Sequence, residues 1–297
     1  MVLSRKKLYV AIIGLVSYSH LQQCQTWVDI LSNSSPLLLK HQCAILHEQY
    51  IQYVSQTALT IANNVIKSIP IVENNEPVVD VNLMAHHRIQ MMPNPINGIA
   101  FESPAYNSGL PNASKMRKEV YARLEKMIIY LDELAPDFGY QSGDISIRVF
   151  EGLRDLKTQE YLFNKKVDEI KNSYPLMNTD EVETEAAKWI SPVKNNVPVH
   201  STGAAIDIRL WDEIKQDFLD LGDFGAIWGA NTQAPTFSEA ITYIQKMNRL
   251  LLLMAATKAG LVNYSYEFWH FSYGDRYAAF WTKKNSDDRI ACYGSLR

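Results

Sequence analysis

The sequence predicts an α+β fold in which an antiparallel sheet is flanked by helices. Two observations lead to this prediction. Some segments alternate apolar and polar residues, which is typical of strands, and others repeat apolar residues every three or four positions, which is typical of helices. The two kinds of segment do not alternate regularly along the chain, as they would in a fold built from parallel βαβ units.

The composition is that of an ordinary globular protein. Of the 297 residues, 47% are hydrophobic and 21% are charged, close to the usual values. A formal net charge of -3, without long basic runs, argues against a nucleic-acid partner. Cys24, Cys43 and Cys292 have no CxxC spacing, so they form neither a disulfide framework nor a Cys-rich zinc site. Any metal site must use histidines and carboxylates.

Residues 1–20 have the pattern of a signal peptide. Arg5, Lys6 and Lys7 precede an apolar run at residues 8–16, which is too short to span a membrane permanently. This pattern predicts export to the periplasm and no stable membrane span in the mature chain. The alternative is a buried N-terminal helix or strand in a cytoplasmic protein.

Residues 21–68 are expected to form a helical N-terminal extension, with the main domain at residues 69–297. In the extension, apolar residues between positions 37 and 66 recur at spacings of three and four, which predicts a helix.

The main domain contains a series of predicted strands and helices. In chain order these are a strand at 78–83, a Pro- and Gly-rich loop at 92–113, a helix at 114–134, a strand at 145–150, helices at 156–170 and 180–189, a strand at 203–210, a helix that follows a capping box at Thr236 and Glu239 and ends near Gly260, and a strand at 268–273.

The first candidate site segment runs from His200 to Asp207. Gly203 permits a tight turn between His200 and the following strand. Asp207 lies in an apolar strand, on the same face as the small Ala205. A carboxylate in such a strand is costly to bury unless it is paired or bound to a metal. The alternative is that Asp207 pairs with Arg209 or another cation and that His200 is an ordinary loop residue.

The second candidate segment runs from Glu267 to His270. A glutamate and a histidine set among aromatic residues suggest an acid or base beside a metal ligand. In an ideal strand, residues three apart point to opposite faces, so the backbone must bulge to bring both side chains to one metal. The alternative is that both residues are exposed flanks of an aromatic core strand.

The two segments together supply two imidazoles and a carboxylate, from His200, His270 and Asp207. Catalytic zinc commonly has three such ligands and an open position for water. Glu267 then supplies a general base that is not itself a ligand.

These motifs resemble those of the D-alanyl-D-alanine dipeptidases, which include vancomycin-resistance enzymes and belong to the lysostaphin/D-Ala-D-Ala/hedgehog superfamily of zinc proteins. The family motif Ser-x-His-x-x-Gly-x-Ala-x-Asp is similar to residues 198–207, with Pro198 in place of the Ser. The motif Glu-x-Trp-His matches residues 267–270. Residues 149–154 resemble the strand that leads to the family's essential Arg, and residues 223–225 resemble its Asp-Met-Gly segment. The similarity extends over about residues 69–296.

The resemblance implies hydrolysis of a small D-amino-acid dipeptide, D-Ala-D-Ala, to two D-Ala. One Zn²⁺ per chain is the implied cofactor. The implied roles are metal ligands at His200, Asp207 and His270, general base at Glu267, stabilisation of the carbonyl oxygen at Arg154, and binding of the substrate's amino end at Asp223.

Other interpretations remain for some of these residues. Arg154 could pair with Glu151 or Asp155, and Asp223 could be an ordinary turn residue. Pro198 lacks the hydroxyl and N–H that a Ser would offer a substrate. An alternative function is therefore a zinc D,D-carboxypeptidase or endopeptidase acting on peptidoglycan stems. A further alternative is a non-catalytic binding module stabilised by zinc.

Overall fold

The computed structural model describes residues 26–34, 40–92, 112–222 and 233–296. The predicted signal peptide, most of the predicted loop at 92–113 and Asp223 lie outside these ranges. Across the residues that are described, no helix is both long enough and apolar enough to cross a membrane.

The described residues form helices, strands and short 3₁₀ turns. The α-helices are α1 (Trp27–Ser34), α2 (Lys40–Val54), α3 (Asn64–Lys67), α4 (Lys118–Leu134), α5 (Leu156–Ser173), α6 (Thr179–Ala186), α7 (Tyr243–Lys258) and α8 (Arg276–Thr282). The strands are β1 (Val78–Asp80), β2 (Ile89–Met91), β3 (Lys115–Arg117), β4 (Ile145–Glu151), β5 (Ala205–Asp212), β6 (Asp217–Phe218), β7 (Val262–Tyr264) and β8 (Glu267–Ser272).

A mixed sheet forms the centre of the fold. Its strand order is β2-β4-β5-β8-β7, and β6 pairs with the end of β5. The α+β class is confirmed, but the sheet is not purely antiparallel as predicted, because β2 runs parallel to β4. Parallel neighbours need a long crossover connection, and α4 lies in the connection here. β2 has only three residues, too few to give a periodic pattern.

One face of the central strands builds the main core. Ile147 and Val149 of β4 and Ile206 and Ile208 of β5 are fully buried, and they cluster with apolar residues of α4 and α7. Because side chains alternate along a strand, the intervening residues of β5 point to the opposite face. That face carries Asp207.

Several predicted boundaries were wrong for local reasons. The helix predicted at 37–66 stops at Val54, where the chain turns through Gln56 with a φ of 58°, a conformation that ends a helix. The segment predicted as a helix from residue 114 begins with β3. The capping box of α7 is formed by Thr242 and Gln245. The hydroxyl of Thr236 instead donates a hydrogen bond to the side chain of Asn263.

The two N-terminal helices α1 and α2 pack into the core of the sheet. Trp27, Leu31 and Leu46 are buried in the same apolar cluster as α4 and α7. The indole Nε1 of Trp27 donates to the carbonyl of Ser238 at 2.9 Å, and its ring packs perpendicular to that of Phe237. The division of the chain near residue 69 stays a prediction, since residues on both sides of it share this core.

Replacing Trp27 by Ala should therefore destabilise the whole protein. The side chain is 0% exposed, and its loss should lower the free energy of unfolding by about 3–5 kcal/mol. Urea unfolding followed by far-UV circular dichroism measures this. The control is Ile51→Ala on α2, because the Ile51 side chain is 60% exposed. This substitution should change the free energy of unfolding by less than about 0.5 kcal/mol. Equal effects of the two substitutions would contradict the packing described here.

Candidate metal centre and its pocket

The sheet places Asp207 between two polar neighbours. Across the β5–β8 pair it lies opposite His270, and across the β4–β5 pair it lies opposite Glu151. Directly opposite side chains on adjacent strands lie close together on one face. His200 reaches the same place from the 3₁₀ turn at Val199–Thr202. That turn ends at Gly203 with a φ of 69°, a left-handed conformation that favours glycine.

Two strand irregularities bring the glutamates to this face. The register of β4 shifts between Val149 and Glu151, so Glu151 leaves the core face that Val149 occupies. On β8, Phe271 pairs with Asn263 while Glu267 pairs with Tyr264, so the intervening residues curl out of the regular strand.

The curl of β8 brings together two side chains that a straight strand would separate. The Oε2 atom of Glu267 lies 3.7 Å from Nδ1 of His270. Glu267 is 6% exposed and His270 is 2% exposed, which excludes the alternative that they are exposed flanks of a core strand.

His200, Asp207 and His270 form a compact group that could hold a metal ion. Nδ1 of His270 lies 3.0 Å from Oδ1 of Asp207 and 3.1 Å from Nε2 of His200. The third side of the triangle, from His200 Nε2 to Asp207 Oδ1, is 3.5 Å. Ligand atoms held at ~2.1 Å around a tetrahedral zinc ion stand about 3.4 Å apart. The triangle therefore has the size that zinc requires.

The hydrogen bonding of His200 also suits a metal ligand. Its Nδ1 lies 2.8 Å from the carbonyl oxygen of Gly152. A carbonyl can only accept, so Nδ1 donates and Nε2 keeps its lone pair facing the triangle. Metal-binding histidines are commonly oriented by such a bond from their other ring nitrogen.

Buried charge in the pocket also favours a cation. Glu151, Asp207 and Glu267 are buried carboxylates, and Arg154 is the buried guanidinium beside them. Burial and the Asp207 carboxylate raise the pKa of Glu267 well above its usual range. Burial would also raise the pKa of Asp207, but His200 and His270 outweigh it and hold that pKa well below the usual range. Buried carboxylates are stable when paired or bound to a metal, and a divalent cation would offset the excess negative charge.

Arg154 lies in the pocket wall and is also paired with Glu151. Its Nε and Nη2 donate to the two Glu151 carboxylate oxygens at 2.7 and 2.6 Å, and its Nη1 donates to Oε1 of Gln159 at 3.0 Å. Burial alone would lower the pKa of Arg154, but the charge of Glu151 outweighs it and raises that pKa. Asp155 instead caps α5 through the N–H of Thr158. Arg154 can therefore pair with Glu151 and line the candidate site at the same time.

A single pocket joins these side chains. Its lining includes the three candidate metal ligands and also Glu267 and Arg154. The other lining residues include Gln159, Ala187, Lys188, Trp189, Pro198 and Tyr264. Tyr264 is fixed by a hydrogen bond from its hydroxyl to the Lys188 carbonyl at 2.7 Å. Asp223 lies outside the described residues, so its place in the pocket stays a prediction.

Glu151, Gln159 and Tyr264 also belong to the candidate site, although the sequence motifs do not include them. For Glu151 a signal exists, since it is a carboxylate at the end of an apolar strand, three residues before Arg154. Gln159 and Tyr264 come from α5 and β7, and no local pattern links them to the motifs.

Comparison with known proteins agrees with this geometry. The Peptidase_M15 family, described as D-ala-D-ala dipeptidase, matches residues 166–294. This range contains His200, Asp207, Glu267 and His270 but begins after Arg154. A D-alanyl-D-alanine dipeptidase of Synechocystis sp. is 27% identical over 254 residues, which cover 77% of this chain and 95% of that protein.

Two solved structures also show similarity. The vancomycin-resistance D,D-pentapeptidase VanY, in complex with Zn(II), is 16% identical, with a TM-score of 0.33 over 55% of this chain and 75% of that one. The LD-carboxypeptidase LdcB is 18% identical, with a TM-score of 0.33 over 73% of this chain and 77% of that one.

The family match covers both motifs, and the Synechocystis relative aligns over nearly its whole length. The motif residues in turn meet in one buried pocket. Residues 166–294 therefore match the Peptidase_M15 family model, and this match together with the Synechocystis relative supports a metallopeptidase.

Proposed function

We propose that the protein is a zinc-dependent dipeptidase that hydrolyses D-Ala-D-Ala to two D-Ala. The observation that carries the proposal is the buried triangle of His200, Asp207 and His270, with Glu267 beside it and Arg154 in the same pocket. A closed structural zinc site needs neither a free carboxylate nor a guanidinium. The Synechocystis dipeptidase supports the choice of substrate.

His200, Asp207 and His270 would hold one Zn²⁺ per chain, which when bound lowers the pKa of a water molecule to about 7 and polarises the peptide carbonyl. Glu267 takes the proton from the attacking water and passes it to the leaving amine. Burial and the Asp207 carboxylate raise the pKa of Glu267. A divalent cation held by the three neighbouring side chains would lower that pKa, so that the carboxylate would be ionised and able to act as a base.

Arg154 and Asp223 orient the substrate in this proposal. The guanidinium of Arg154, held by Glu151 and Gln159, donates to the carbonyl oxygen as negative charge develops on it. Asp223, on the strength of the family resemblance, pairs with the free ammonium group of the dipeptide. An acylated amine cannot compensate a buried carboxylate in this way, so Asp223 favours a free N-terminus.

Replacing Glu267 by Gln tests the role of the base. The substitution keeps the shape of the side chain but removes its ability to accept a proton, so kcat should fall by about 100- to 10,000-fold. D-Ala release from D-Ala-D-Ala measures the rate, and elemental analysis of the dialysed protein measures zinc. Zinc content should stay at that of the wild type. Loss of zinc together with activity would make Glu267 a ligand instead of a base.

Asp207 and Asp212 provide a matched test of the metal site. Both are buried aspartates on β5, but Asp212 accepts hydrogen bonds from the turn at Ile214 and Lys215. Asp207→Asn should weaken zinc binding strongly because one of three ligands is lost. Asp212→Asn should retain one zinc per chain. Competition of each metal-free protein with a chelator of known affinity gives the comparison, and equal affinities would rule out the proposed ligand set.

A second candidate is a D,D-carboxypeptidase that acts on longer peptidoglycan stems. Two observations favour it. Pro198 replaces the family's Ser in the pocket wall, and a groove of about 740 Å³ shares Ala187 and Lys188 with the pocket. The groove gives room for a longer chain. Export to the periplasm, if the N-terminal signal functions, would place either enzyme beside the cell wall.

A substrate series separates the two candidates. Free D-Ala-D-Ala should be cleaved with a higher kcat/KM than N-acetylated D-Ala-D-Ala or a stem pentapeptide, because only the free dipeptide has an ammonium for Asp223. Release of D-Ala from each substrate by the same preparation gives the ratios. Faster cleavage of the acylated peptides would favour the carboxypeptidase and remove the role of Asp223.

A further inference from the structure

We propose that Asn263 of β7 is a positioning residue that holds the curl of β8 and thereby sets Glu267 beside His270. The inference rests on the proposed roles of these two residues as base and ligand. It assigns a function to a side chain that lies outside both sequence motifs and does not line the pocket.

The amide of Asn263 is the point around which β8 curls. Its Nδ2 lies 3.1 Å from the carbonyl oxygen of Glu267 and 3.0 Å from that of His270. In an extended strand, residues three apart are separated by about 10 Å and their carbonyls point to opposite edges. Here both carbonyls approach one nitrogen atom, so they lie no more than about 6 Å apart. The amide therefore holds the two ends of the curl together.

Neighbouring groups fix the orientation of this amide. The hydroxyl of Thr236 donates to Oδ1 of Asn263 at 2.6 Å, which leaves the NH₂ group facing the carbonyls. The side chain of Gln49, from helix α2, donates to the Asn263 backbone carbonyl at 2.9 Å. Asn263 is 2% exposed. Buried polar groups in such a network are costly to leave unpaired, so the arrangement is rigid.

Loss of the amide should act on the site through the backbone. The carbonyls of Glu267 and His270 would lose a shared donor, and β8 would relax toward an extended strand. In that form the two side chains point to opposite faces. His270 would then leave the metal triangle, or Glu267 would leave its place beside it. Both metal affinity and turnover should therefore fall.

The variant Asn263→Leu tests the inference because Leu has a similar size, no charge and no donor. We expect the affinity for Zn²⁺ to fall by about 10- to 100-fold, measured by chelator competition on the metal-free protein. At saturating zinc, kcat for D-Ala-D-Ala should fall by a similar factor while KM changes little. The absorption spectrum of the cobalt-substituted protein should also change, since it reports the ligand geometry directly.

Two further variants separate positioning from simple destabilisation. Leu131→Ala opens a cavity at a fully buried position of α4 that does not line the pocket. It should lower the unfolding temperature and leave zinc affinity and kcat at the wild-type values. Thr236→Val removes the hydroxyl that orients the amide and should lower zinc affinity by a smaller factor, about 3- to 10-fold. Thr236→Ser keeps a hydroxyl and should therefore retain the zinc affinity of the wild type.

Wild-type zinc affinity in both Asn263→Leu and Thr236→Val would overturn the inference. Losses of zinc affinity and kcat that are no larger than those in an equally destabilised Leu131→Ala protein would also overturn it. If Asn263→Leu does not fold, the pair Thr236→Val and Thr236→Ser decides. A wild-type protein that binds zinc but releases no D-Ala would remove the proposed function, while the zinc affinities would still decide the role of Asn263.

Discussion

The arrangement of the pocket depends on the free-energy cost of burying carboxylates on and beside β5, the central strand of the sheet. Asp207 lies in the middle of the sheet with Glu151 opposite on one side and His270 on the other. Such charges are stable away from water only when they are compensated. The register shift in β4 and the curl of β8 follow from the same requirement. Each carries a glutamate from the core face, where it would be uncompensated, to the face that holds Arg154 and the histidines.

The sequence predicts which residues meet in the candidate metal site better than it predicts their geometry. Periodicity identifies β4, β5, α4 and α5 because these elements are long enough to repeat. The motif histidines and Asp207 stand out because charged residues are rare in apolar strands. The three-residue strand β2 carries no such pattern, so its parallel pairing could not be predicted. The curl of β8 depends on contacts of Asn263 with distant parts of the chain, which a local pattern does not contain.

The N-terminal helices are part of the structure that supports the site. They precede the residues matched by the family, yet Trp27 is buried in the core shared by α4 and α7. Gln49 of α2 bonds to the backbone of Asn263 behind the curl of β8. A buried hydrogen bond of this kind links the stability of α2 to the geometry of Glu267 and His270. The helices α1 and α2 therefore support β8 as well as packing into the core.

The buried ion pair of Arg154 and Glu151 holds the guanidinium in one fixed position in the pocket. Taking both charges out of water is expensive, and their attraction only partly offsets the cost. The double hydrogen bond and the contact with Gln159 fix the guanidinium in one orientation. A donor already held in place requires no reorganisation as charge develops on a substrate oxygen. Under the proposed function, the cost of burying the pair would be offset in the transition state, which would account for an ion pair where an apolar contact would suffice for stability.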